Sequence, residues 1–234
     1  KSYNFKYEDK TKIEIKNYSK GLIKKFKTKN PLINLNDALY AGGYYLEILE
    51  NYDLKKPLII YNYFSNNLKN EIVNNKNLII LNNNCGIEIV EFNTDVSKNN
   101  FIQNNYTNIE IGENSTLKNY NIQSFNSNGF FYKFIKANLS KKSNYDEYIF
   151  SSGLKFCRVE EDVDINGEEA KCSIQSSLFL NLNSHQEIKT QINHLKPNSR
   201  SHQKIKKVLN KNCNGAYQGK IFVKDIAQKT DAYQ

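Results

Sequence analysis

The hydrophobic positions of the chain fall into short runs rich in β-branched residues: Tyr45-Leu46-Glu47-Ile48-Leu49, Leu58-Ile59-Ile60-Tyr61, Leu78-Ile79-Ile80-Leu81, Ile87-Glu88-Ile89-Val90 and Ile109-Glu110-Ile111. Each run is bounded by Asn, Lys, Gly or Ser, the pattern of a β-strand between turns. Some spacings repeat: Leu58 and Leu78 lie 20 residues apart, Ile89 and Ile109 also 20, and Ile109 and Phe131 22. A repeat near twenty suits a solenoid whose coils each contribute two or three short strands. Asn fits the corners of such coils, because its side chain bonds locally and it tolerates the left-handed backbone region.

The second half continues in the same way, with strands predicted at Phe130-Phe131-Tyr132-Lys133-Phe134-Ile135, Tyr148-Ile149-Phe150, Lys171-Cys172-Ser173-Ile174, Glu187-Ile188-Lys189-Thr190-Gln191-Ile192 and Lys220-Ile221-Phe222-Val223. Asn166-Gly167 between them is a turn signal. A β-sandwich would give much the same alternation; the periodicity favours the solenoid. Ahead of the strands, Ile13-Glu14-Ile15 reads as a strand or irregular cap. A short helix is predicted within Asn30-Pro31-Leu32-Ile33-Asn34-Leu35-Asn36-Asp37-Ala38-Leu39-Tyr40, capped by Asn34 or Asn36, with Leu35, Ala38 and Leu39 on one face and Gly42-Gly43 ending it. The expected organisation is a mixed or helical region over residues 1–43 and a β core over 44–234, cut short at its C-terminal end.

Composition adds limits rather than a function. The chain of 234 residues can bury a core of domain size, and its 12% aromatic content, from Tyr and Phe, supplies large side chains to fill it. The net charge of +9 raises the question of nucleic acid. Nearly all of it is scattered Lys, however, and Arg, which reads guanine and phosphate bidentately, occurs only at Arg158 and Arg200. A solvated surface is the simpler reading. No apolar run reaches the roughly 20 residues of a membrane span, and the first residues lack the apolar stretch of a signal peptide. Cys85, Cys157, Cys172 and Cys213 form no CxxC pair, which points to reduced, buried thiols in a cytoplasmic protein.

Candidate chemistry is sparse. His194 and His202 flank the turn Pro197-Asn198-Ser199, with Cys213 beyond and His185 before, a spacing that matches no compact metal motif. Glu160, Glu161, Asp162 and Asp164 lack the order of a calcium loop; their alternation with Val159, Val163 and Ile165 reads as the outward face of a strand. Among Ser and Thr no nucleophile elbow stands out. No catalytic, cofactor-binding or metal-binding residue is assigned.

The last forty or so residues carry a more specific signal. His194, Pro197-Asn198-Ser199-Arg200-Ser201, Gly215-Ala216-Tyr217-Gln218-Gly219-Lys220-Ile221-Phe222-Val223 and Ala227-Gln228-Lys229-Thr230-Asp231-Ala232-Tyr233-Gln234 resemble the SufB/SufD family of the SUF iron–sulfur cluster assembly system, and within it the SufD type. Asn30-Pro31, Leu35-Asn36-Asp37-Ala38, Gly43-Tyr44-Tyr45-Leu46-Glu47-Ile48, Lys56-Pro57-Leu58-Ile59-Ile60 and the segment from Val163 to Ala170 agree with it. The resemblance implies a right-handed parallel β-helix and a non-catalytic scaffold subunit working with SufB and the ATPase SufC, on whose complete complex a transient iron–sulfur cluster is built. The family's cluster-related Cys and His, and its ATPase-gripping helical region, would lie beyond the position of Gln234, so no cofactor is placed on this segment. Two other function classes stay in view: a β-helix enzyme acting on acidic polysaccharide, and a nucleic-acid-binding module.

Overall fold

The computed structural model describes residues 8–18, 28, 30–64, 70–95, 100–124, 129–181 and 183–234. Most of the opening segment 1–29 thus lies outside the described residues. The elements are β1 (Ile13–Asn17), α1 (Pro31–Leu39), β2 (Tyr44–Ile48), β3 (Leu58–Phe64), β4 (Glu71–Leu81), β5 (Gly86–Asp95), β6 (Phe101–Ile111), β7 (Thr116–Ser124), β8 (Phe130–Leu139), β9 (Asn144–Ser152), β10 (Phe156–Ile165), β11 (Lys171–Leu180), β12 (His185–His194), β13 (Arg200–Leu209), β14 (Asn214–Val223) and β15 (Asp231–Tyr233).

The even-numbered strands pair in parallel, each with the next, in one sheet, which β1 extends as an antiparallel edge strand beside β2. The odd-numbered strands from β3 to β15 form a second parallel sheet. One even and one odd strand make a coil, and about 6 coils stack into a parallel β-solenoid. The sandwich alternative is set aside by this pairing, because a sandwich of hairpins would be antiparallel.

The repeat is longer than the sequence spacing implied. Equivalent corner residues Asn51 and Asn84 are 33 residues apart, Asn84 and Asn114 30, and Lys136 meets Asp162 of the next coil at a separation of 26. Leu58 and Leu78 belong to β3 and β4, one in each sheet, as do Ile89 and Ile109 in β5 and β6. The twenty-residue interval therefore measured the step from one sheet to the other, not a full coil. Corner chemistry came out as expected. Asn51, Asn84, Asn114 and Asn198 hold φ between 55 and 58° at equivalent corners, and Asn114 donates to Asn84 (3.2 Å), which donates to Asn51 (3.0 Å). Stacked corner amides thus satisfy one another while the left-handed residue turns the chain.

Two glycines are set by close approach. Gly43 has φ +137°, and a Cβ there would overlap the Lys76 carbonyl; a Cβ on Gly167 would overlap the Lys141 amide of the preceding coil. At Gly167 the Asn-Gly turn exists, but the left-handed residue is Glu169.

Helix α1 lies on the outer face of the even sheet, against β4 and β6. Its cap is Asn30, whose side chain accepts from the Leu32 amide (3.0 Å), with Pro31 opening the first turn where no amide is needed. The caps expected at Asn34 or Asn36 thus lie one to two turns late. Ile33 and Asn36 face the sheet, whereas Ala38 and Leu39 are exposed. Asn36 donates to the carbonyls of Asn75 (2.9 Å) and Asn104 (2.8 Å), so a polar anchor takes the place of the expected Leu39 contact. Beside it Lys76 bonds Asp37 inside a ring of Tyr18, Tyr40 and Tyr106.

Candidate functional site: a polar band inside the coils

Period-two alternation sends every second side chain of each strand into the solenoid. Next to the corners that interior is apolar, with Ile79, Leu81, Ile109, Ile111, Leu139 and Ile165 among its members, and a second apolar cluster around Phe64, Phe101, Phe131 and Leu178 fills the far end of the cross-section. Between the two runs a band of polar residues. The even sheet contributes Asn105, Thr107, Lys133, Glu161 and Thr190; the odd sheet contributes Glu91, Asn119, Asn121, Glu147, Ser176 and Gln203, all buried.

The band holds charge. Lys133, 1% exposed, donates to Glu91 at 2.7 Å. Asn62 donates to the other Glu91 oxygen (2.9 Å), so this carboxylate has a cation and an amide to replace its water shell. Glu147 accepts from Asn119 (2.7 Å) and from the Tyr145 hydroxyl (2.9 Å) through one oxygen. Its other oxygen and both Glu161 oxygens have no hydrogen-bond partner among the described residues. Burial pushes the Glu147 carboxyl up to about 7, against the pull of Lys133 and the two hydrogen bonds. Burial, then the Glu147 charge, raises Glu161 well above the usual carboxylate range. Two carboxyls that resist ionisation beside one lysine form an acid–base group whose proton is retained near neutral pH.

Two of the cysteines border this band. The Cys157 thiol donates to Gln123 (2.9 Å), and burial pushes it up to about 12. Burial, then the Glu161 charge, also raises Cys172. Cys85 sits at a corner with its sulfur 3.1 Å from the Leu49 carbonyl, while Cys213 is half-buried. Iron and most electrophiles need a thiolate, so the three buried thiols are inert as packed.

The histidines separate rather than converge. His194 is buried between the hydroxyls of Ser199 (2.7 Å) and Ser201 (2.9 Å), and burial lowers its proton affinity. His185 stacks on Phe156 and meets Glu187 at 3.0 Å on the outside of the even sheet; His202 is exposed on the odd sheet. Of the acidic group, Glu160, Asp162 and Asp164 point outward as expected, but into a lattice of paired charges: Arg158 to Glu160 (2.8 Å) and Glu187 (3.0 Å), and Lys136 to Asp162 (3.1 Å) and Asp164 (2.7 Å). Glu161 alone points inward. Its position is in phase with Val159, Val163 and Ile165, so the signal was present in the alternation itself. Among the described residues, no group of three or more His, Cys, Asp or Glu is placed to hold a metal ion.

A family description, the SufBD core domain of SUF system FeS cluster assembly, matches residues 63–234, most of the chain. The chain belongs to this family. A comparison with curated proteins finds no significant match. Strand pairing carries the solenoid of this SufBD core back to Tyr44, ahead of the matched residues, and adds α1 to one face. The interior of this SufBD core carries a polar band, and its buried thiols do not make a cluster cradle: they are protonated and dispersed among coils. Among the described residues no helix is long and apolar enough to cross a membrane.

Proposed function

We propose that the chain is the SufD-type subunit of a SUF assembly complex, a scaffold that works with a SufB-type partner and a SufC-type ATPase in the cytoplasm. The match of residues 63–234 to the SufBD core carries this reading. The choice of SufD over SufB rests on Gly215-Ala216-Tyr217-Gln218-Gly219-Lys220-Ile221-Phe222-Val223 and Gln228-Lys229-Thr230-Asp231-Ala232. These residues form β14 and the turn into β15, at one end of both sheets. A scaffold rather than catalytic role accords with the proton-retaining carboxyls and thiols of the interior, which offer no nucleophile to solvent. The iron–sulfur cluster is cargo of the complex in this reading.

Co-expression with SufB-type and SufC-type proteins from the same genome is the test. The expected result is one complex containing all three in gel filtration. A chain that elutes alone in the presence of both, or that replaces the SufB-type protein rather than joining it, refutes the SufD assignment.

A further inference from the structure

The outer faces of the two sheets differ in how their charges are arranged. On the even sheet, Arg158, Lys136, Lys189 and Lys76 are paired with carboxylates, and the outward cation in no ion pair among the described residues is Lys220 on the last strand. On the odd sheet, Lys171, Arg200, Lys204 and Lys206 stand outward on β11 and β13, and none is in an ion pair among the described residues. The same outward rows, followed toward the N-terminal coils, turn apolar. One runs Ile59, Val90, Tyr120, Tyr148, Gln175, Lys204; the next runs Tyr61, Phe92, Ile122, Phe150, Ser177, Lys206. Ile59 is 52% exposed, Tyr61 67% and Phe150 43%. A contiguous apolar face that leads into unpaired cations is the signature of an interaction surface, not of a solvated wall.

The ring geometry narrows the partner. Tyr61 stacks on Phe92 at 5.2 Å and 12°, and Tyr120 on Tyr148 at 4.7 Å and 9°. Rings stacked along the sheet use their faces on one another and present their edges outward. Ring edges are the positive part of the aromatic quadrupole and favour carboxylate oxygens. Nucleic-acid bases need free ring faces with cations interleaved; here the faces are used in stacking, and the cation beside the rings, Lys118, lies in register between Glu88 and Asp146. A second copy of the chain would bring together two molecules of net charge +9.

We propose that the outer face of the odd sheet docks an acidic segment of another protein, its apolar side chains on the aromatic rows and its carboxylates over Lys204, Lys206, Lys171 and Arg200. Six strands at about 4.8 Å spacing give the face a span of about 24 Å, the length of about sixteen helical residues.

The test uses the whole chain and a fluorescent sixteen-residue helical peptide that carries Leu over the first half and Glu over the second half of one face, followed by anisotropy. Binding is expected to weaken with salt and to fall at least about tenfold in Lys204→Glu/Lys206→Glu and in Tyr61→Ser/Phe150→Ser, with unchanged circular dichroism. Lys141→Glu, at an exposed corner away from this face, should leave it unaltered. Equal binding of the counterpart with Lys in place of Glu, equal loss in Lys141→Glu, or no binding overturns the proposal. So does tighter binding of an oligothymidylate or of anionic phospholipid vesicles, or self-association of the chain through this face in sedimentation.

Discussion

Glu147→Gln isolates the buried acid–base group. The carboxyl's proton affinity rises from an ordinary 4.5 to about 7 in the fold. A folded state that binds the proton more tightly than the unfolded chain is favoured at low pH. Stability contributed by this group is therefore full below about pH 4.5 and lost as pH climbs to about 7. At about 1.36 kcal/mol per unit, the whole loss is on the order of 3 kcal/mol. Gln cannot ionise, yet its amide oxygen can still accept from Asn119 and Tyr145, and its nitrogen occupies the place of the retained proton. The variant should match the native chain near pH 4.5 and exceed it above pH 7, so the stability difference between the two changes by about 3 kcal/mol across that interval. Removing the Glu147 charge also eases ionisation of Glu161, which shifts the residual slope of the variant to lower pH. Urea titrations at half-unit steps of pH, with the slope of each curve checked for constancy, measure this directly. Parallel stability profiles for the native chain and Glu147→Gln would refute the reasoning.

Lys133→Met strands Glu91 in the interior and should lower stability by about 3–5 kcal/mol, whereas Lys133→Met with Glu91→Gln should recover most of that loss; urea midpoints decide, and equal loss in both variants counts against the ion pair. Gly43→Ala needs a left-handed backbone and overlaps the Lys76 carbonyl, so its thermal midpoint should fall, by a stability loss of about 1–3 kcal/mol, while Ala at the half-buried Gly215, whose Cβ would meet only the flexible end of Lys207 and two leucine methyls, should change far less. In the native chain at neutral pH, a disulfide reagent should modify Cys213 quickly and the three buried cysteines only after denaturant is added; native-state modification of Cys157 or Cys172 would contradict their burial.

Strands were legible because the apolar runs are short, β-branched and bounded by turn residues. The solenoid was legible only in kind. Runs such as Leu58-Ile59-Ile60 and Leu78-Ile79-Ile80-Leu81 are alike but lie in different sheets, so their spacing gave half a coil the look of a whole one. Strands β7 and β13 were missed because the polar residues Asn119, Asn121, Gln123 and Gln203 occupy inward positions and break the hydrophobic alternation that marks a strand. The polar band escaped notice for the same reason. Its members lie on different strands and meet only once the coils are stacked in register, and few of them, such as Glu161 and Thr190, betray their inward phase locally. The helix was found, but its orientation was not, because Asn36 rather than a leucine supplies the contact that fixes it.

The Lys133–Glu91 bond joins β8 to β5 and so reaches across the intervening coil of β6 and β7. A solenoid whose coils touch only their neighbours can fray from either end, one coil at a time, like a zipper with independent teeth. A charge tied across a coil removes that freedom locally, since opening any of the three exposes an unpaired ion to the others' interior. These coils should exchange their amide hydrogens with deuterium as one unit, slower than the coils on either side, and the middle of the molecule rather than an end becomes its last structure to open.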